Sequence, residues 1–213
     1  MQPEYFAGVD LGQRRDRTAI AVIEKSTRVA ERPDPITWER PKTTVFQVRH
    51  LERLPLGTPY TAVVEHVARL ARALSHSGAC PTTVAIDATG VGLPVVDALR
   101  MPGESWRLMP VTIGYADHAN YSEGFWRVPK RDLIAGLQLA FDARRFNIAS
   151  ALRDAEVLVE ELCSMRANTR PSGAVSLASP GAQHDDLAIA LSLAWWAAET
   201  RRAGQLGVPN PLL

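Results

Sequence analysis

Four aspartates carry the chemistry that this sequence can do: Asp10, Asp87 and the adjacent Asp185 and Asp186. Asp10 closes a short apolar run, Tyr5-Phe6-Ala7-Gly8-Val9, and a glycine follows two residues on. Asp87 closes a second such run, Thr83-Val84-Ala85-Ile86, and the glycine turn Ala88-Thr89-Gly90-Val91-Gly92 follows it. Asp185 and Asp186 open a long apolar stretch from Leu187 to Trp196. A buried carboxylate is costly unless it is paired or binds a metal. Carboxylates gathered within a few ångströms repel one another and hold protons or a cation. All-oxygen donors select Mg²⁺ or Mn²⁺. Two such ions about 4 Å apart can clamp a phosphodiester, one activating water and the other stabilising the departing 3′ oxygen. Each aspartate also has a plainer use. Asp10 before its glycine suits a turn, Asp87 an Asx-turn, and Asp185 or Asp186 a helix cap. The metal reading rests on the set: two strands that end in Asp, and an apolar helix that opens with a pair. Neighbours on a helix point about 100° apart, so only one of Asp185 and Asp186 need face the ions directly.

The elements that must position these residues follow from pattern. The run ending in Asp10 reads as a buried strand, and Thr18 to Glu24 as a second strand folding back on it. Arg28 to Pro41 is a loop with a short strand over Ile36–Glu39, and Val45 to Leu54 reads as a third strand. Thr58 is placed to cap, and Pro59 to start, a helix from Tyr60 to Ser75 that Gly78 stops. Thr83–Asp87 is the fourth strand, Pro94 to Leu99 a helix, and Arg107 to Ile113 a fifth strand, which Pro110 suggests is an edge. Residues 114–129 read as irregular. Helices follow over Lys130 to Arg144 and Ala151 to Met165, then a small hairpin or loop over Asn168 to Ser179 and the final helix. The sum is an α/β fold: a mixed sheet of five strands, three antiparallel and then parallel ones reached by helical crossovers, with helices on both faces.

The bulk properties agree. The 213 residues, 46% hydrophobic and 22% charged, suit one soluble domain. Residues 1–203 are expected to form it, with 204–213 as a loose tail. No run is long enough to span a membrane and no signal layout opens the chain, so a cytoplasmic protein is expected. Cys80 and Cys163 have no metal-like spacing and read as two free, buried thiols. The formal net charge of +1 makes the placement of charge matter more than its sum. Arg14, Arg15 and Arg17, then Arg127, Lys130 and Arg131, then Arg166 and Arg170, fall in loops or at helix starts and are candidate phosphate contacts. Tyr121 and Trp126 suit stacking on a base, and better suit anchoring their loop. The glycine turn after Asp87 fits neither the Walker nor the dinucleotide pattern. His184 suits either a supporting role beside the acids or the start of the helix.

The runs Gly8-Val9-Asp10-Leu11-Gly12 with Asp16-Arg17-Thr18-Ala19-Ile20, Asp87-Ala88-Thr89-Gly90-Val91-Gly92, and His184-Asp185-Asp186-Leu187-Ala188-Ile189-Ala190-Leu191 resemble the nuclease domain of bacteriophage terminase large subunits. Leu51 to Tyr60 is similar to that family's third strand and turn, and the resemblance extends from about Tyr5 to Trp196. It implies a ribonuclease H-like fold and a two-metal DNA endonuclease that cuts concatemeric viral DNA during packaging. It also implies a bacterial host cytoplasm, and an ATPase motor, portal or small subunit as partners. The family's metal-binding acids fall on Asp10, Asp87 and the Asp185-Asp186 pair, and Asp16 matches an additional acidic position. The family's motor carries a Gly-x-x-x-x-Gly-Lys-Ser/Thr loop, which these 213 residues lack. Three rivals share parts of this pattern. A Holliday-junction resolvase would prefer branched DNA and form a stable dimer. An actin-like ATPase or sugar kinase would need a second similar domain. A catalytically silent DNA-binding or docking module would bind DNA without cutting it.

Overall fold

β1 (Glu4–Asp10) lies in the interior of the sheet, hydrogen-bonded on one side to β2 (Ala19–Val29) and on the other to β4 (Thr83–Asp87). The β1–β2 pair is antiparallel, with Asp10 opposite Ala19, whereas β1 and β4 run parallel, with Val9 opposite Ile86. This computed structural model describes residues 3–12, 16–78, 80–90, 92–101, 103–115, 117–169, 175–178 and 185–204. Eight strands form the main sheet in the order β6-β7-β5-β4-β1-β2-β3-β8. The other strands are β3 (Lys42–Arg53), β5 (Arg107–Gly114), β6 (Asn120–Ser122), β7 (Phe125–Pro129) and β8 (Phe146–Ile148). A separate antiparallel hairpin, β9 (Arg166–Thr169) and β10 (Val175–Ala178), takes the hairpin option of the sequence reading.

Two apolar layers cover the sheet because its strands alternate. Ala7, Val9, Ile20, Val22, Val84 and Ile86 face α1 (Tyr60–Ser77) and α2 (Gly92–Leu99). Phe6, Ala19, Ala21, Ile23 and Ala85 face the opposite way, toward α5 (Asp186–Gly204), with α3 (Lys130–Asp142) and α4 (Ala155–Ser164) packed outside it. β3 keeps this alternation through a bulge. Ile23 pairs with Val48 and Val22 with His50, so Arg49 is the extra residue, and the inward set passes from Phe46 and Val48 to Leu51. Leu187 to Ala194 of α5 are all buried, as expected of a helix enclosed between a sheet and other helices.

Several sequence expectations need correction. The sheet has eight strands, not five. The segment read as irregular holds the β6–β7 hairpin, turned at Glu123 and Gly124 with φ of 56° and 83°, the paired positive angles of a two-residue hairpin turn. β8 is only three residues long and was missed for that reason. β5 is an interior strand. Arg107 N–H bonds to Thr82 and Val111 C=O accepts from Ala88, so odd residues of β5 face β4. Pro110 therefore faces β7, whose pairing begins one residue later at Val111, and its missing N–H costs no ladder bond. Ile36–Glu39 is no strand; the Asp34 carboxylate accepts from the N–H groups of Ile36 and Thr37 and makes a turn. Pro59, not Thr58, occupies the N-cap of α1, and the Thr58 hydroxyl donates to the Pro55 carbonyl. Cys80 is half-buried and Cys163 exposed, so the two thiols are not core residues. The expected tail lies outside the described residues from 205 onward.

Candidate metal centre

Asp10 and Asp87 end neighbouring parallel strands at the same level, because the Gly8–Ala85 and Val9–Ile86 register continues one step to them. Strand periodicity puts both on the α5 side: Gly8 and Asp10 are two apart, and so are Ala85 and Asp87. Gly8 allows α5 to approach. A Cβ on Gly8 would run into the Ala190 carbonyl oxygen and lie 2.7 Å from the Ala194 nitrogen. Asp186 shares the helix face of Ala190 and Ala194, one turn earlier. Four helical residues rise about 6 Å, and two strand residues span about 6.6 Å. A helix that lays Ala190 against Gly8 thus carries Asp186 to the level of Asp10. Asp186 is 5% exposed. Asp185 holds the N-cap position beside it, its carbonyl accepting from the Ile189 N–H at 2.9 Å, and its carboxylate accepts from Lys130 Nζ at 2.7 Å.

The electrostatics follow from this convergence. Burial, and then the Asp87, Asp186 and Asp185 carboxylates, push the Asp10 carboxyl well above its usual range, while the Lys130 ammonium pulls it down. Burial also raises Asp87, against hydrogen bonds from Thr89 and Ile113 and the charge of Lys130. Asp87 does make the Asx-turn allowed for it: Oδ1 accepts from the Thr89 N–H at 2.8 Å and from its hydroxyl. The turn and the membership of the acidic group are compatible, since each uses the same carboxylate at the strand end. The other three carboxylates all act on Asp10, at the carboxyl end of β1. They do not meet closely. Among the described residues, no three His, Cys, Asp or Glu side chains stand near enough to share one ion as placed. The donor chemistry nonetheless suits a hard divalent cation, because every acid in the group is an oxygen donor and their mutual repulsion is what such a charge relieves.

The other expected residues fare differently. Asp16 and Arg17 are exposed in the β1–β2 connection. Arg127 is exposed beside Glu123 at 3.7 Å. Arg131 donates to the Asp117 carbonyl at 2.6 Å and lies 3.5 Å from the Asp132 carboxylate. Lys130, expected on DNA, stands instead among the acids. Its position after Pro129, where a strand parallel to β5 meets a helix, is the signal that would have placed it there. Arg14, Arg15, Arg170 and His184, and the side chain of Arg166, lie outside the described residues. Trp126 anchors as expected, its ring 5.3 Å from Tyr121 and 5.1 Å from Trp196. Glu161 was missed altogether, though it stands three residues after Leu158, where the apolar stripe of its helix calls for another apolar side chain.

No protein-family model and no curated protein matches the chain. Solved structures do. The large terminase nuclease of thermophilic phage G20c with bound magnesium aligns at TM-score 0.57 and 23% identity, over 91% of this chain and 81% of that one. The human cytomegalovirus terminase nuclease domain, manganese-soaked, aligns at 0.58 and 12%, over 95% and 86%. The nuclease domain of the bacteriophage SPP1 large terminase with bound manganese aligns at 0.52 and 12%, over 92% and 86%. At these identities the likeness is one of architecture: the chain has the ribonuclease H-like fold of large-terminase nuclease domains.

Proposed function

We propose that this chain is a metal-dependent DNA endonuclease of the terminase type, hydrolysing phosphodiester bonds with two Mg²⁺ or Mn²⁺ ions. The observation that carries the reading is the convergence of Asp10, Asp87 and Asp186 from two strands and a helix, with Asp10 raised by burial and by the other acids. The magnesium and manganese in the similar nuclease structures support it. Asp10, Asp87 and Asp186 would hold the ions, with Asp185 completing the ligand set from the rim. Bound there, the ions would supply an activated water and stabilisation of the departing 3′ oxygen. The chain's own residues do the rest. Asp10, between the other acids, is the shared oxygen donor. The Thr89 hydroxyl fixes the rotamer of Asp87. Lys130 partly offsets the acids. Arg17, Arg127 and Arg131 offer phosphate contacts on duplex DNA, as would Arg14, Arg15, Arg166 and Arg170.

Residues 1–203 would act as the nuclease unit. Cutting of concatemeric DNA would need a motor, portal or small subunit to bring it, in the cytoplasm of a bacterial host. No helix among the described residues is long and apolar enough to cross a membrane. The reading of a silent DNA-binding module draws on one observation, that the acids do not meet as placed. Cleavage of supercoiled plasmid separates the two. Nicking in Mg²⁺ or Mn²⁺, abolished by EDTA and by Asp10→Ala and Asp87→Ala, is the expected result. DNA binding by folded protein without cleavage in either metal would replace the nuclease reading with the module.

A further inference from the structure

The first turn of α5 is capped from outside. An Asp at an N-cap ordinarily turns its carboxylate onto the N–H two or three residues ahead. For Asp185 the third of these belongs to Ala188, and that donor is already taken: Glu161 Oε2 accepts from it at 2.9 Å. Glu161 belongs to α4 and is 3% exposed. Its other oxygen accepts from Arg53, the last residue of β3. Arg53 lies opposite Ala19, which lies opposite Asp10. A buried carboxylate therefore links the sheet end that carries Asp10 to the helix start that carries Asp185 and Asp186. The Asp185 carboxylate points to Lys130 instead of to its own helix.

We infer that Glu161 is a positioning residue for the acidic centre. By capping α5 in place of Asp185, it leaves the Asp185 carboxylate to face Lys130 and Asp10. This inference rests on the metal-nuclease reading. A leucine at this point of the α4 stripe would be cheaper to bury, but it would leave both Arg53 and the Ala188 N–H without an acceptor. Without Glu161, the Ala188 N–H would lack its acceptor, and the Asp185 side chain is the local group able to replace it. Asp185 would then turn away from the site.

The test uses the full chain and measures Mn²⁺ binding by calorimetry, beside plasmid cleavage over a Mn²⁺ titration. Glu161→Ala is expected to bind Mn²⁺ about 10- to 100-fold more weakly, the usual effect of losing a group that orients a ligand. Its half-maximal cleavage should move to correspondingly higher Mn²⁺, with the rate at saturating Mn²⁺ largely recovered. Glu161→Gln keeps an acceptor for the Ala188 N–H and should retain most of the affinity. In the double variant with Asp185→Asn, the two losses should not add. If Glu161→Ala fails to fold, Glu161→Asp decides, since it keeps the charge for Arg53 but loses reach to Ala188. Unchanged Mn²⁺ affinity in a folded Glu161→Ala or Glu161→Asp overturns the inference, and so does equal loss in Glu161→Gln and Glu161→Ala. Wild-type protein that neither binds Mn²⁺ nor cuts overturns the nuclease reading itself, and this inference with it.

Discussion

Replacing Asp10 with Asn should make the protein more stable and inactive. Its carboxyl is pushed up by burial and by three neighbouring aspartates, against the pull of one lysine. The folded state therefore keeps the Asp10 proton over a pH range in which the unfolded chain has lost it. Stability falls as pH rises from the ordinary carboxylate range through the raised value. Asn has the same shape and no charge to bury. Stabilising substitutions of this kind contribute about 0.5–2 kcal/mol. The causes here are burial and three like charges, so the upper half of that range, about 1–2 kcal/mol, is expected for Asp10→Asn. In a chain of this length each kcal/mol moves Tm by about 2–4 °C, so the variant should melt about 2–8 °C above wild type near neutral pH in EDTA. The difference should shrink toward about pH 4, where the wild-type carboxyl is also neutral. Mn²⁺ at about 100 times its Kd should reverse the order, because binding adds about 2.7 kcal/mol to wild type and little to the variant. Scanning calorimetry over a pH series, with EDTA and with Mn²⁺, reads all three effects. An Asp10→Asn protein that melts below wild type at neutral pH in EDTA would refute the argument. Asp10 would then be an ordinary strand-end aspartate whose charge holds the turn before Gly12.

Lys130→Ala removes a cation that lowers both Asp10 and Asp87. Both carboxyls should rise, and the acid limb of the cleavage pH profile should move to higher pH; an unmoved limb would show that Lys130 does not act on the site. Arg53→Ala leaves the Glu161 side chain, 4% exposed, without its charged partner. Breaking a buried pair from one side costs about 3–5 kcal/mol, or about 6–20 °C of Tm at this size, and a drop of no more than a degree or so in a thermal melt would show that the Ala188 N–H suffices for Glu161. Gly8→Ala places a methyl against the backbone of α5 at Ala190 and Ala194. Overpacking there should cost about 3 kcal/mol or more, and wild-type Tm together with wild-type Mn²⁺ affinity would show that the helix is free to move off β1.

Much of this was legible in the sequence because it depended on short, strong patterns. The strands ending in Asp10 and Asp87 are continuous apolar runs, and the β1–β4 neighbourhood follows from the helical crossover between them. α5 was legible because its apolar run is long. The missed parts are short or depend on partners far along the chain. β6 and β8 have three residues each, too few for a period to register. Pro110 reads as an edge residue until the register shows that its ring nitrogen faces a neighbour not yet paired. The choice between Asp185 and Asp186 was open on the helix alone. Gly8, which belongs to another element, bears on it by setting which face of α5 lies on β1, the face that carries Asp186. Glu161 was invisible for the same reason, since its meaning comes from Arg53 and Ala188, 108 and 27 residues away.

The site also explains why α5 must be buried on all sides from Leu187 to Ala194. Four carboxylates gather where, among the described residues, Lys130 and the positive end of one helix oppose them. A helix N-terminus is worth roughly half a positive charge, so the group retains roughly two and a half negative charges. That repulsion pushes α5 off the sheet, and it cannot be removed without removing the proposed chemistry. The opposing force is the core. Leu187, Ile189, Leu191 and Leu193 are all at most 4% exposed. At about 1.5–3 kcal/mol each, an upper estimate, they supply roughly 6–12 kcal/mol. That exceeds the 1–2 kcal/mol or so that the charge at Asp10 costs by a wide margin. The small residues Gly8, Ala190 and Ala194 let this apolar helix sit close enough for Asp186 to reach the level of Asp10. Glu161 and Arg53 then fix its first turn, where the core gives way to the charged rim. From Leu187 to Ala198 the helix is thus apolar but for Ser192, and acidic at its first turn, because the first property is what makes the second tolerable.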